Sequence, residues 1–178
     1  MSDGGERVVI RRAMMQDLGQ FKQLWSEFLE DQAKRGDLVL ANDHNLDIAV
    51  NVFRTYVSGD VLGLVQFLNV NGKDVGVYME GELPGGYQLS IGRYTMLFGV
   101  YYRPEYQGKK YTHLMYEKAM VWTRKHKLEG GITAYLTNNA KAADVTSKVI
   151  DGNLGGSEIR TYSVNLYWTF QSSDSGSQ

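Results

Sequence analysis

A β-prone run that stops at a proline and gives way to a helix through a glycine and two lysines most narrows what this chain can fold into. Tyr94 to Tyr102 holds Thr95, Met96, Leu97, Phe98, Val100 and Tyr101 and reads as a long strand. Arg103-Pro104-Glu105 ends it, because proline brings no N–H to a ladder. Beyond Gly108-Lys109-Lys110, the apolar residues Tyr111, Leu114, Met115, Ala119 and Trp122 recur at helical spacing, opposite Lys109, Glu117, Arg124 and Lys125. The spacing predicts a helix from about Gly108 to His126. Gly130-Gly131 stops it, and Ile132 to Leu136 supplies the next strand. A strand, a helix and a strand in that order close as a parallel, right-handed crossover.

Val8 to Ile10 reads as a first strand, and Leu18, Phe21, Leu24, Trp25, Phe28 and Leu29 as one face of a helix with Asp17 at its N-cap. Arg35-Gly36-Asp37 ends that helix. A second begins near Asp43 or Asn45 and turns Leu46, Ala49, Val52, Phe53, Tyr56 and Val57 to one side before Ser58-Gly59-Asp60. Val61 to Val70 and Val75 to Glu80 flank Asn71-Gly72, a strong hairpin signal. Residues 81–92 read as a glycine-rich loop, 138–149 as a short helix, 152–156 as a turn and 159–170 as a strand or hairpin. The ends, 1–6 and 172–178, are polar enough to be disordered, leaving a single domain over 7–171. Strands and helices in this order make an α/β fold, with a mixed, mostly antiparallel central sheet and flanking helices.

With 178 residues, 43% of them hydrophobic, the chain can close one core. A formal net charge of -1 gives no general attraction to nucleic acid or to an anionic membrane. The lack of cysteine removes disulfides, thiolate metal sites and thiol nucleophiles, and suits a cytoplasmic location. No secretion leader is expected, and no apolar run reaches the roughly 18–20 residues of a membrane span. His44, His113 and His126 lack ligand spacing, so no metal is expected. A serine hydrolase is unsupported, since no Gly-x-Ser-x-Gly elbow is present.

The first turn of a helix carries unpaired N–H groups and a partial positive charge, a natural seat for a pyrophosphate. Gly108 allows close backbone approach there, and Lys109 and Lys110 add charge. An ordinary strand–loop–helix unit begins the same way, so the segment alone leaves anion binding open.

Tyr102-Arg103-Pro104 followed by Gln107-Gly108-Lys109-Lys110-Tyr111-Thr112 resembles the central motif of the GNAT N-acetyltransferases: a strand, Val-x-Pro, then Gln/Arg-x-x-Gly-x-Gly/Ala at a helix start. Val9-Ile10-Arg11-Arg12-Ala13 with Asp17-Leu18 resembles that family's opening strand and helix entry. The likeness extends over residues 7–170 and is specific around 100–112. It implies a sheet in which a bulge splays strand 94–102 from its parallel partner 132–136. It also implies acetyl-CoA, or another acyl-CoA, as donor. The donor would touch Val100, Tyr102, Gln107, Gly108, Lys109, Lys110, Tyr111 and Thr112, with Asn139 and Ala142 on a flanking helix. Lys110 and Thr112 stand where the family has glycine and then glycine or alanine.

The reaction implied is acyl transfer to an amine. Backbone N–H groups polarise the thioester carbonyl, a base takes the amine proton and an acid protonates the thiolate. The family's tyrosine acid falls on Thr146 and its glutamate base on Met96, eleven residues before Gln107. Glu80 and Tyr135 are the replacement candidates, with Tyr162 as a second acid; a solvated strand end and ordinary sheet tyrosines are the plainer readings. The missing pair leaves open a scaffold without catalysis that acts through protein or nucleic-acid contacts. The acceptor, a small molecule or a macromolecule, has no readable motif. The resemblance puts its face on the first two helices and the 81–92 loop, where Tyr87, Tyr94 and Tyr101 could shape it. Tyr162 to Phe170 is either a core strand or the shared edge of a homodimer.

Overall fold

The computed structural model describes residues 6–35, 41–82, 93–128 and, as backbone, 130–133. One sheet runs in the order β1 (Val8–Arg12), β2 (Gly63–Val70), β3 (Lys73–Glu82), β4 (Tyr94–Tyr102) and β5 (Gly130–Thr133). The first four strands pair antiparallel, and β4 pairs β5 in parallel. The helices are α1 (Leu18–Lys34), α2 (Asp43–Ser58) and α3 (Tyr111–Lys125).

Strand alternation sorts the helices onto two faces. Val65, Phe67, Val77 and Met79 join a core with Phe21, Leu24 and Trp25 of α1 and Phe53 and Tyr56 of α2. Their strand neighbours point the other way: Gln66 donates to the Met115 carbonyl of α3 at 2.9 Å, and Tyr78 meets Tyr116 of α3 edge to face. With both faces covered, β2 and β3 are apolar almost throughout, so Val61 to Val70 shows no clean alternation. The aromatic centre of the α1–α2 layer is Phe21, with Trp25 at 5.2 Å and Phe53 at 4.5 Å. Phe21, Leu24 and Phe53 are wholly buried, each contributing roughly 2–3 kcal/mol.

Two local devices fix the layer. Gly63 and Gly81 are cross-strand partners, and the ring of Tyr56 lies in the notch they leave. Arg11 of β1 donates to Asp17 at 2.8 and 3.0 Å and to Asp74 of β3, while stacking 4.7 Å from the Phe67 ring centre. Hydrogen bonds from Arg11 hold the Asp17 carboxyl below its ordinary range. Arg11→Leu is expected to lower unfolding free energy by about 2 kcal/mol in a urea titration, since both carboxylates lose their cationic partner.

Several boundaries differ from the sequence expectations, each for a physical reason. The third helix starts at Tyr111 rather than Gly108, because Gly108 takes φ 78 and no right-handed helix accommodates that angle. Its buried face holds Tyr111, Met115, Tyr116, Ala119 and Trp122, with Tyr116 in the place expected for Leu114. Gly81 and Glu82 belong to β3 rather than to a loop, because they pair with Met96 and Thr95. β2 begins at Gly63, not Val61. Asp17 stands at the N-cap of α1 but does not cap it; its carboxylate accepts from the Met14 N–H and from Arg11. The expected terminal segments, apart from Glu6, lie outside the described residues, as does everything expected beyond residue 133.

Candidate active site

The pairing of β3 with β4 contains an insertion. Met79 faces Gly99 and Glu80 faces Leu97, so Phe98 is an extra residue on β4. On the other edge, among the described residues, β4 pairs in parallel with β5 from Tyr94–Gly130 to Leu97–Thr133. A bulge bends its strand, raises the local twist and leaves one residue out of the ladder. It also switches the parity of β4. Thr95, ahead of it, and Tyr102, beyond it, both lie on the α3 side. Gly99 lies against α1, where a β-carbon would come within 2.9 Å of the Phe28 ring. Phe98 itself is 43% exposed and leans towards Tyr56 of α2 at 6.1 Å.

Beyond β4 the chain is anchored before it turns. The Arg103 N–H donates to the Val75 carbonyl, and its guanidinium grips Glu27 of α1 through two 2.9 Å bonds. Pro104 to Tyr106 make one 3-10 turn. Gln107 donates its side-chain amide to the Tyr102 carbonyl at 3.0 Å, so that carbonyl is already engaged. No atom lies within 4 Å of a β-carbon at Gly108, so glycine is needed there for its positive φ rather than for space. Lys110 is the N-cap of α3 without a side-chain cap bond, and the first turn holds no acid. That end therefore keeps its positive character. Lys109 extends over the rings of Tyr106 and Tyr111, at 5.3 and 5.5 Å, and binds Glu6 at 3.1 Å. Among the other sequence candidates, Val100 and Thr112 are half-buried and Tyr102 is buried, its hydroxyl without a hydrogen-bond partner.

Glu80 is neither solvated nor at a strand end. It is 4% exposed, and its Oε2 accepts from Tyr78 at 2.9 Å and from Thr95 at 3.3 Å, while Oε1 has no partner. Burial pushes its pKa up to about 7 against the downward pull of Tyr78, Thr95 and Thr123. The carboxyl faces α3, away from the α1–α2 layer. Of the expected acceptor face, Tyr101 is buried against Phe28, and burial beside Glu27 raises its phenol to about 12. Tyr94 is half-buried. Tyr87, Tyr135, Asn139, Ala142, Thr146 and Tyr162 lie outside the described residues. The structure thus gathers residues 102–112 at one end of α3 and sets Glu80 apart, beneath that helix. Sequence reasoning missed Phe98, Arg103–Glu27 and Glu6. Nothing local in the sequence marks any of the three.

Neither a protein-family profile nor a curated protein matches the chain. Solved structures do. Aminoglycoside N-acetyltransferase AAC(6')-Iy, in complex with CoA, matches with a TM-score of 0.71 at 13% identity, over 95% of this chain and 99% of that one. A predicted acetyltransferase from Clostridium acetobutylicum, with acetyl-CoA, matches at 0.65 and 13%, over 90% and 96%. AAC(6')-IG from Acinetobacter haemolyticus, without ligand, matches at 0.65 and 9%, over 92% and 99%. At these identities the shared property is the fold.

Proposed function

We propose that this chain, which has the fold of the GNAT acetyltransferases, transfers an acetyl or other acyl group from acyl-CoA to a primary amine. The observation that carries the reading is the Phe98 bulge, on the strand that leads into the uncapped start of α3. In this reading the bulge splays β4 from its parallel partner. A pantetheine arm then lies along the outer edge of β4 near Val100 and Tyr102, as an added strand would. Backbone N–H groups from Lys109 to Thr112 hold the pyrophosphate, with Gly108 making the turn and Gln107 bracing the strand end. The ligands of two neighbours, CoA and acetyl-CoA, support the choice of donor.

Acyl-CoA supplies the activated acyl group. The backbone at the bulge, released from the β3 ladder, polarises the thioester carbonyl. A neutral amine attacks, the C–N bond forms and the C–S bond breaks. Glu80 takes the amine proton by way of Thr95 or water, its pKa near 7 suiting that exchange, and Tyr135 returns a proton to the thiolate. One observation favours a second reading, a scaffold that binds without transfer: Glu80 is enclosed under α3 rather than open to a cleft.

Calorimetric titration with acetyl-CoA tests the assignment. The wild type should bind with a dissociation constant on the order of micromolar. Gly108→Trp should weaken binding at least about tenfold, because a bulky residue at positive φ strains the turn and crowds the helix start. No binding by the wild type would overturn the reading. Binding without transfer to any amine in a screen would favour the scaffold.

A further inference from the structure

The approach to β1 brings an acid onto the same end of α3. The Glu6 carboxylate accepts from Lys109 Nζ at 3.1 and 3.5 Å and from the Tyr111 hydroxyl. The first turn of α3 has no acid of its own, so its local counter-charge arrives from a residue far away in the sequence. Both side chains remain open to solvent, Lys109 at 43% and Glu6 at 39%, so a ligand can exchange with this pair without unfolding anything. Hydrogen bonds from Tyr111 and Lys109 lower the Glu6 pKa.

We propose that Glu6 is a displaceable stand-in for the donor's pyrophosphate. In the free protein it occupies the cationic seat beside the α3 start, and it leaves when a diphosphate-bearing ligand arrives. The segment entering β1 thereby moderates donor affinity. The inference rests on the reading that the α3 start holds the pyrophosphate. A carboxylate that only held Lys109 ready for a ligand would act in the opposite sense, since its loss would weaken binding.

The test is calorimetric titration of CoA into the full chain, into Glu6→Gln and into Glu105→Gln. Glu105 is an exposed acid in the same loop, and among the described residues it makes no bond to Lys109. Glu6→Gln should tighten CoA binding about three- to fivefold, the scale of an exposed ion pair, and the gain should shrink as salt is raised. Glu105→Gln should leave affinity unchanged. Equal or weaker binding by Glu6→Gln, with a wild type that binds, overturns the proposal alone. An equal gain in both variants also overturns it, because diffuse charge would then explain the effect. No CoA binding by any of the three proteins overturns it together with the function it rests on.

Discussion

Gly63→Ala is expected to lower unfolding free energy by about 3 kcal/mol, at the upper end of what overpacking a core costs. The added β-carbon would lie 2.1 Å from Tyr56 Cγ and 2.2 Å from Cδ1. Cγ is close to the α2 backbone and cannot swing aside as the end of a long side chain could. The helix must back away from the sheet, and Phe53, wholly buried one turn earlier, moves with it. Urea unfolding of Gly63→Ala, Tyr56→Ala and the double variant measures the effect. The double variant should be more stable than the sum of the single losses predicts, by at least about 1 kcal/mol. A loss below about 1 kcal/mol in Gly63→Ala, or strict additivity, would mean that the notch closes by easy rearrangement.

The second large effect is a pH dependence. Folded Glu80 keeps its proton up to about pH 7, whereas its ordinary value is 4.5. Between those values the native state holds a proton that the unfolded chain has released. Unfolding free energy therefore falls as pH rises through this window, by up to about 3 kcal/mol, and is flat in this respect above it. The stability is fully present below the lower value. Glutamine has no proton to lose. Glu80→Gln should gain on the wild type by about 2–3 kcal/mol when both are compared at pH 4.5 and again at pH 8. The paired carboxyls Glu6, Asp17, Glu27 and Glu82 are all shifted downward and titrate beneath the window. Parallel stability curves for the two proteins would show that the Glu80 carboxyl ionises freely in the fold.

The readable parts of the sequence were those decided within a few residues. Asn71-Gly72 announces its hairpin because both residues take positive φ, at 52 and 85. The apolar faces of α1 and α2 follow from helical spacing, and α2 starts at Asp43, one of the two positions expected. The placement of residues 103–112 between a strand end and a helix start was equally plain. The start of α3 falls later than the helical spacing predicts, because the positive φ at Gly108 is a property of the turn that spacing does not reveal. The bulge was invisible as a position. Tyr94 to Tyr102 is apolar on both faces, so an extra residue breaks no pattern that the eye could follow. Glu80 read as a strand end because its cover, Thr95 and Thr123, comes from distant elements. Glu6 meets Tyr111 across most of the described chain, and no local rule reaches that far.

The two glycines under Tyr56 also tie together the changes that this corner of the protein can accept. A β-carbon at Gly63 or Gly81 collides with the ring, so replacing either glycine is costly while the tyrosine remains. Losing the ring leaves a cavity, a cost of roughly 3–5 kcal/mol, but removes the clash at both glycines. Descendants that have lost either glycine should therefore also have lost the tyrosine. In sequences that keep a tyrosine at position 56, both glycines should be retained, whatever those proteins act upon.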